Sequence, residues 1–95
     1  MPQTLVSLYV HVIFSTKNRV RMIRPEIEDR LFAYLGGIAN NHGCKLLAAG
    51  GTANHVHLLI SLGKLVALSD LVGHLKRDSS SWIKTQEYGT QRFQW

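Results

Sequence analysis

Apolar and polar residues alternate along the first part of the chain, from about Leu5 to Phe14. Val6, Leu8, Val10, Val12 and Phe14 fall on one face, and Ser7, Tyr9, His11 and Ile13 on the other. A period of two predicts a strand with one buried side. The period then changes. Pro25 is well placed as the first residue of a helix, and Ile27, Leu31, Tyr34, Leu35 and Ile38 recur at helical spacing. Tyr34 shares that stripe and is expected against the sheet. Asn40-Asn41-His42-Gly43 ends the helix, with Gly43 as a left-handed cap. A second strand is expected over roughly Cys44 to Ala49. Gly50-Gly51-Thr52-Ala53 reads as turn material, although Gly-Gly also suits a bulge. The third strand covers about His55 to Leu62, after which Gly63 and Lys64 turn the chain. Ser69 is placed to cap a second helix, with Asp70 in its first turn. Its buried stripe reads Leu71, Val72, Leu75, Trp82 and Ile83, with Lys76, Arg77 and Lys84 on the solvated side and Tyr88 at its frayed end.

The order β-α-β-β-α is that of an α+β, ferredoxin-like sandwich without its last strand. One antiparallel sheet would carry both helices on one face. The first and third strands would be central neighbours, which sets His11 and Tyr9 alongside the third strand's polar residues. A chain of 95 residues fits one domain, residues 1–95, and 45% hydrophobic residues suffice for one modest core. There is no apolar run of about 18 residues to span a membrane, and no basic-then-apolar start that would mark a secretory signal. The single Cys44 excludes an internal disulfide and suits a reducing, cytoplasmic compartment.

Candidate chemistry enters with His55-Val56-His57. In a strand, residues i and i+2 share a face, so both imidazoles project side by side while Val56, Leu58 and Ile60 point into the core. Two adjacent neutral imidazoles are half of a divalent-metal site; they are equally two polar residues on a solvated face. The charge gives a partner class. Eleven Lys and Arg stand against six Asp and Glu, a formal net charge of +5, which for so short a chain points to a polyanion such as nucleic acid. Lys17, Arg19, Arg21 and Arg24 crowd one stretch without an acid. Lys76 and Arg77 are second-rank candidates for the same contact, or an ordinary solvated helix face.

Taken in order, these pieces resemble a known family. His11-Val12-Ile13-Phe14-Ser15-Thr16-Lys17-Asn18-Arg19, the strand His55-Val56-His57-Leu58-Leu59-Ile60, and Leu68-Ser69-Asp70-Leu71-Val72 through Leu75-Lys76 with Ser79-Ser80-Ser81 are similar to the single-tyrosine transposases with an HUH motif. These enzymes move insertion sequences as single-stranded DNA, and the REP-associated tyrosine transposases look equally close. Phe93-Gln94-Trp95 resembles the lead into the family's next strand. The resemblance implies Mg²⁺ or Mn²⁺ on His55 and His57, with Asn54 and His11 beside the ligands. It implies single-stranded DNA, at the hairpin ends of a mobile element, as substrate, and a homodimer as the working state. It also implies a tyrosine nucleophile that forms a 5′-phosphotyrosine and leaves a 3′-OH.

Two departures stand out. The family's tyrosine follows the strand after Phe-x-Trp, so it would lie beyond Trp95. Tyr9 and Tyr34 fall in other elements, and Tyr88 precedes the marker. The chain is therefore expected to be truncated before its nucleophile and unable to cleave DNA. The second departure is Asn54, where the family commonly has Asp before the first histidine. Two other readings compete with the nicking enzyme. One is a non-catalytic module that binds single-stranded DNA or RNA on the same loop and sheet. The other is a small sensor with a transition metal on His55 and His57.

Overall fold

The change of period along the chain becomes a change of layer. The computed structural model describes residues 8–63 and 66–95. Its elements are β1 (Leu8–Ser15), α1 (Pro25–Asn41), β2 (Lys45–Thr52), β3 (His55–Leu62) and α2 (Leu68–Ile83), with one turn of 3₁₀ helix at Lys17–Arg19 between β1 and α1. The sheet is antiparallel in the order β1-β3-β2. The α+β fold and the pairing of β1 with β3 follow the sequence reading, although only β3 is central and β1 lies at an edge among the described residues.

Pairing register decides which side chains share a face. Val10–Ile60–Leu46, Val12–Leu58–Ala49 and Phe14–Val56–Gly51 are rows on the helix side. Val56, Leu58 and Ile60 are buried there, together with Phe14. From α1 come Ile27, Leu31, Leu35 and Ile38, and from α2 Leu71, Leu75 and Ile83, at the spacing of one helical stripe. Burial of each such side chain stabilises by roughly 1.5–3 kcal/mol. Phe93, from the segment after α2, is fully buried and closes the end of the core. Ser79 occupies the α2 stripe where an apolar residue would be expected. Its hydroxyl donates to the Leu75 carbonyl and accepts from Trp95 Nε1 at 2.9 Å, so the buried group is satisfied.

Several expectations are corrected. β1 extends one residue further, to Ser15, while Leu5 to Ser7 lie outside the described residues, as does Lys64. β2 continues through Gly50, Gly51 and Thr52, leaving only Ala53 and Asn54 as the turn. Ladder pairing with β3 outweighs the local turn preference of the glycines. The bulge lies not at Gly-Gly but at Leu47, the extra residue between Leu46 and Ala48. Ser69 does not cap α2; the cap position is Ala67, and no side chain bonds there. Tyr34 does not reach the sheet. Its ring stacks on Trp82 of α2 at 4.8 Å and remains partly exposed. Leu8 is exposed at the end of its strand. Tyr88 is not a frayed helix end but part of a compact series of turns that follows α2. Gly43 caps α1 as expected, with φ of 73°.

The turn between β2 and β3 is unusual for a two-residue hairpin. Neither Ala53 nor Asn54 has positive φ, which the favoured hairpin turns need. Bonds from outside hold it instead. The Ala53 carbonyl accepts from Met22 and Ile23 N–H at 3.0 and 2.9 Å, and the Asn54 carbonyl from Thr16 N–H at 2.8 Å. The segment before α1 is thus fastened to the end of the sheet.

Candidate functional site

The open face of the sheet carries the rows Tyr9–Ser61–Lys45, His11–Leu59–Ala48, Ile13–His57–Gly50 and Ser15–His55–Thr52. His55 and His57 therefore project away from the helices, as their spacing predicts. Their ring centroids are 4.8 Å apart, and His11 stands 5.5 Å from His57. Gly50, opposite His57, has no side chain, and a Cβ there would meet nothing within 4 Å. The flank of His57 towards β2 is therefore clear.

A hydrogen-bond chain settles the orientation of His55. Asn54 Nδ2 donates to the Arg19 carbonyl at 3.3 Å, which turns Asn54 Oδ1 towards the ring. Oδ1 lies 2.9 Å from His55 Nδ1, and Thr52 Oγ1 lies 2.8 Å from the same nitrogen. The Thr52 hydroxyl also donates to Oδ1 at 3.0 Å. An amide oxygen can only accept, so Nδ1 carries a proton, and in the neutral ring the lone pair is then on Nε2. An imidazole held in this way is oriented to ligate through Nε2. Among the described residues no three His, Cys, Asp or Glu side chains converge to hold an ion. His55 and His57 are the residues of this face that could offer two imidazole nitrogens to a divalent ion.

The same chain leads into the basic loop. Asn18 and Arg19 take φ of 57° and 56°, in the left-handed region that ordinary residues avoid at a cost of about 1–3 kcal/mol each. Buried Thr16 holds the loop closed, its Oγ1 bonding the Val20 carbonyl at 2.6 Å and the Asn54 carbonyl at 3.2 Å. Lys17, Arg19 and Arg21 are exposed cations. Among the described residues ion pairs occur only at Arg24–Glu26, 2.8 Å, and Arg77–Asp78, 3.8 Å. Arg24 is thus partly neutralised. Lys76 and Arg77 line one shallow cleft, where Lys76 Nζ lies over the Phe14 ring at 5.6 Å and Arg77 turns to His74 Nδ1 at 2.9 Å.

Sequence reasoning missed what closes the loop's other side. Lys17 N–H donates to the Gln94 carbonyl at 2.9 Å, which brings Tyr88, Thr90, Arg92 and Gln94 beside the basic residues. No local signal marks Arg92 or Tyr88, because the contact joins opposite ends of the chain.

The profile of the family described as IS200-like transposase matches residues 4–95. The chain belongs to the IS200-like transposase family. No curated protein matches it. Among solved structures it is similar to a protein of Deinococcus radiodurans R1 assigned as a transposase and determined at 1.90 Å. That likeness has a TM-score of 0.81 and 26% identity over 100% of this chain and 77% of the other. Membership makes this a DNA-processing protein of a transposase family. The three-stranded sheet with two helices on one face is consistent with the family's fold.

Proposed function

We propose that this IS200-like transposase domain binds single-stranded DNA at the hairpin ends of a mobile element. In this reading Mg²⁺ or Mn²⁺ sits on His55 and His57, and the protein acts in the cytoplasm as a homodimer. The supporting observation is the hydrogen-bonded continuity of the two parts. His55, Asn54 and the Arg19 carbonyl form one chain, so the histidines and the loop of Lys17, Arg19 and Arg21 are held as one surface. When bound, a divalent ion there supplies Lewis-acid polarisation of the scissile phosphate. The chain's own residues do the rest. The loop cations hold the phosphates, Asn54 and Thr52 fix the His55 ring, and Gly50 leaves room beside His57.

Affinity should come chiefly from the loop. Changing Lys17, Arg19 and Arg21 to alanine should weaken single-stranded DNA binding. The slope of log affinity against log salt should shrink by about 2, at roughly 0.7 per lost phosphate contact. Titration of a labelled oligonucleotide at several salt concentrations measures it; an unchanged slope would place the DNA elsewhere.

Cleavage by this chain alone is not expected. Tyr9 lies on the open face but four residues along β1 from the His57 row, about 13 Å away. Tyr34 is stacked between the helices, and Tyr88 sits beyond the loop under Arg24. None stands beside the histidines for in-line attack. Incubation with hairpin-bearing single-stranded DNA and Mn²⁺, followed by denaturing electrophoresis, should show no protein–DNA adduct. An adduct lost in Tyr88→Phe would instead make Tyr88 the nucleophile. The same geometry favours, as a second reading for this chain by itself, a binding module for single-stranded nucleic acid.

Association has a physical cause as well. The outer edge of β1 has no partner strand among the described residues, and open edges invite pairing. Light scattering at micromolar concentration should return a mass above that of one chain; a stable monomer contradicts the dimer.

A further inference from the structure

Between the basic loop and the turns after α2 lies a cleft of about 650 Å³. Its volume falls within the roughly 300–1,000 Å³ typical of small-molecule sites. Three kinds of group line it. Lys17, Arg21, Arg24 and Arg92 are cationic, and no acid lines the cleft, Glu26 pairing with Arg24 from outside it. Val20, Met22 and Tyr88 give an apolar wall. Asn18, Thr90 and Gln94 add polar edges. Val20 is half exposed at the rim, an apolar side chain with nothing on it. The Arg24 guanidinium lies 5.1 Å from the Tyr88 ring centroid, so the wall is a cation–π pair rather than an isolated ring.

Both sides of the cleft are preformed. The loop side is fixed by Thr16 and by the Met22 and Ile23 bonds to Ala53. On the other side, Gln91 Nε2 donates to the Lys84 carbonyl at 2.6 Å and Arg92 N–H to Thr90 Oγ1 at 3.2 Å. Gly89 packs so closely on the Ile83 carbonyl that a Cβ there would collide with it. The Lys17–Gln94 bond joins the two sides. A site that is already shaped spends little binding energy on ordering itself.

A bare phosphate site would need the cations but not the apolar wall. A peptide groove would need neither three unpaired cations, Lys17, Arg21 and Arg92, nor a guanidinium–aromatic stack. The combination matches a nucleotide, which has a flat apolar base and a charged phosphate. We infer that this cleft receives one unpaired nucleotide of a single strand, with its base on the Tyr88–Arg24 stack and its phosphate on Lys17, Arg21 and Arg92. The inference deepens the single-stranded DNA reading and rests on it for the strand to which the nucleotide belongs. It also gives Tyr88 a role as a stacking platform, in which its hydroxyl takes no part.

Four probes test it: deoxyadenosine monophosphate, inorganic phosphate, and single strands of DNA and of RNA with one fluorescent 2-aminopurine. Tyr88→Leu should weaken binding of both the mononucleotide and the strands about tenfold, the scale of one base–aromatic stack. Tyr88→Phe should bind like the native chain. Because Tyr88 also packs against the core, the exposed Arg92→Ala is the second variant, with a severalfold loss and a reduced salt slope expected. Stacking should quench the 2-aminopurine when its strand binds, and not in Tyr88→Leu. Equal affinity for the DNA and RNA strands would support readout of base and phosphate alone; a preference for one would identify the source strand. Strand binding that depends on Lys17, Arg19 and Arg21 but is indifferent to Tyr88 and Arg92 would overturn the cleft and leave the DNA-binding reading standing. Tyr88-dependent mononucleotide binding without any strand binding would do the reverse. Inorganic phosphate competing as well as the mononucleotide would overturn the proposal in favour of a simple anion site.

Discussion

Replacing His55 and His57 together with alanine should abolish Mn²⁺ binding and leave the protein folded. Both rings stand on the open face of the sheet, clear of the core formed by Val56, Leu58 and Ile60. Substitutions away from a core cost little, within about 0.5 kcal/mol, so the thermal midpoint should move by less than about 4 °C. Titration calorimetry with Mn²⁺ reads the first effect and differential scanning calorimetry the second. Asn54→Ala should fall between, with affinity reduced about 10- to 100-fold, as is usual when the group that orients a ligating imidazole is removed. Asn54→Asp keeps an acceptor for Nδ1–H but cannot donate to the Arg19 carbonyl. It should retain ion affinity while loosening the loop. Binding that survives in the double histidine variant would mean that the ion sits elsewhere.

Leu58→Ala should be the most damaging single truncation in the sheet. Leu58 is fully buried on the central strand, between Val12 and the small Ala49. Ala49 cannot expand into the space, so collapse around the cavity is limited. A loss of about 3–5 kcal/mol is expected, a large part of the roughly 5–15 kcal/mol that holds a domain together. The adjacent Leu59, on the open face, should cost under about 1 kcal/mol when changed to alanine. Urea unfolding of the two variants side by side measures the contrast. Equal losses would mean that the faces of β3 are assigned the wrong way round.

How much of this was legible beforehand differs by element. The bounds of β3 and the facing of its histidines could be read directly, because period-two alternation under a strong apolar stripe leaves one register. The bounds of α1 were equally clear, from Pro25 at its start to Gly43 beyond its end. β2 was misjudged because Gly50, Gly51 and Thr52 prefer turns locally. Only the partner strand, which no local pattern displays, makes them ladder residues. Tyr34 was misplaced because spacing gives a helix face but not whether its rim meets the sheet or the other helix. The histidine pair and the basic loop could each be found separately. Their junction through Asn54 could not, since it depends on Thr52 lying opposite His55 and on Arg19 adopting a left-handed backbone. Tyr88 and Arg92 were invisible as site residues because the cleft exists only once the end of the chain has returned to Lys17.

The bulge at Leu47 makes β2 a strand with two independent phases. Up to Leu46 its alternation answers to α1, where Leu46 faces Gly36. From Ala48 onward it answers to the hairpin, where Thr52 must meet His55. With Leu47 held in the ladder, an unbroken period of two would turn either Leu46 outward or Thr52 inward. Loss of the Leu47 codon should therefore remove the bulge and leave one regular ladder, with Leu46 still inward and Thr52 still facing His55.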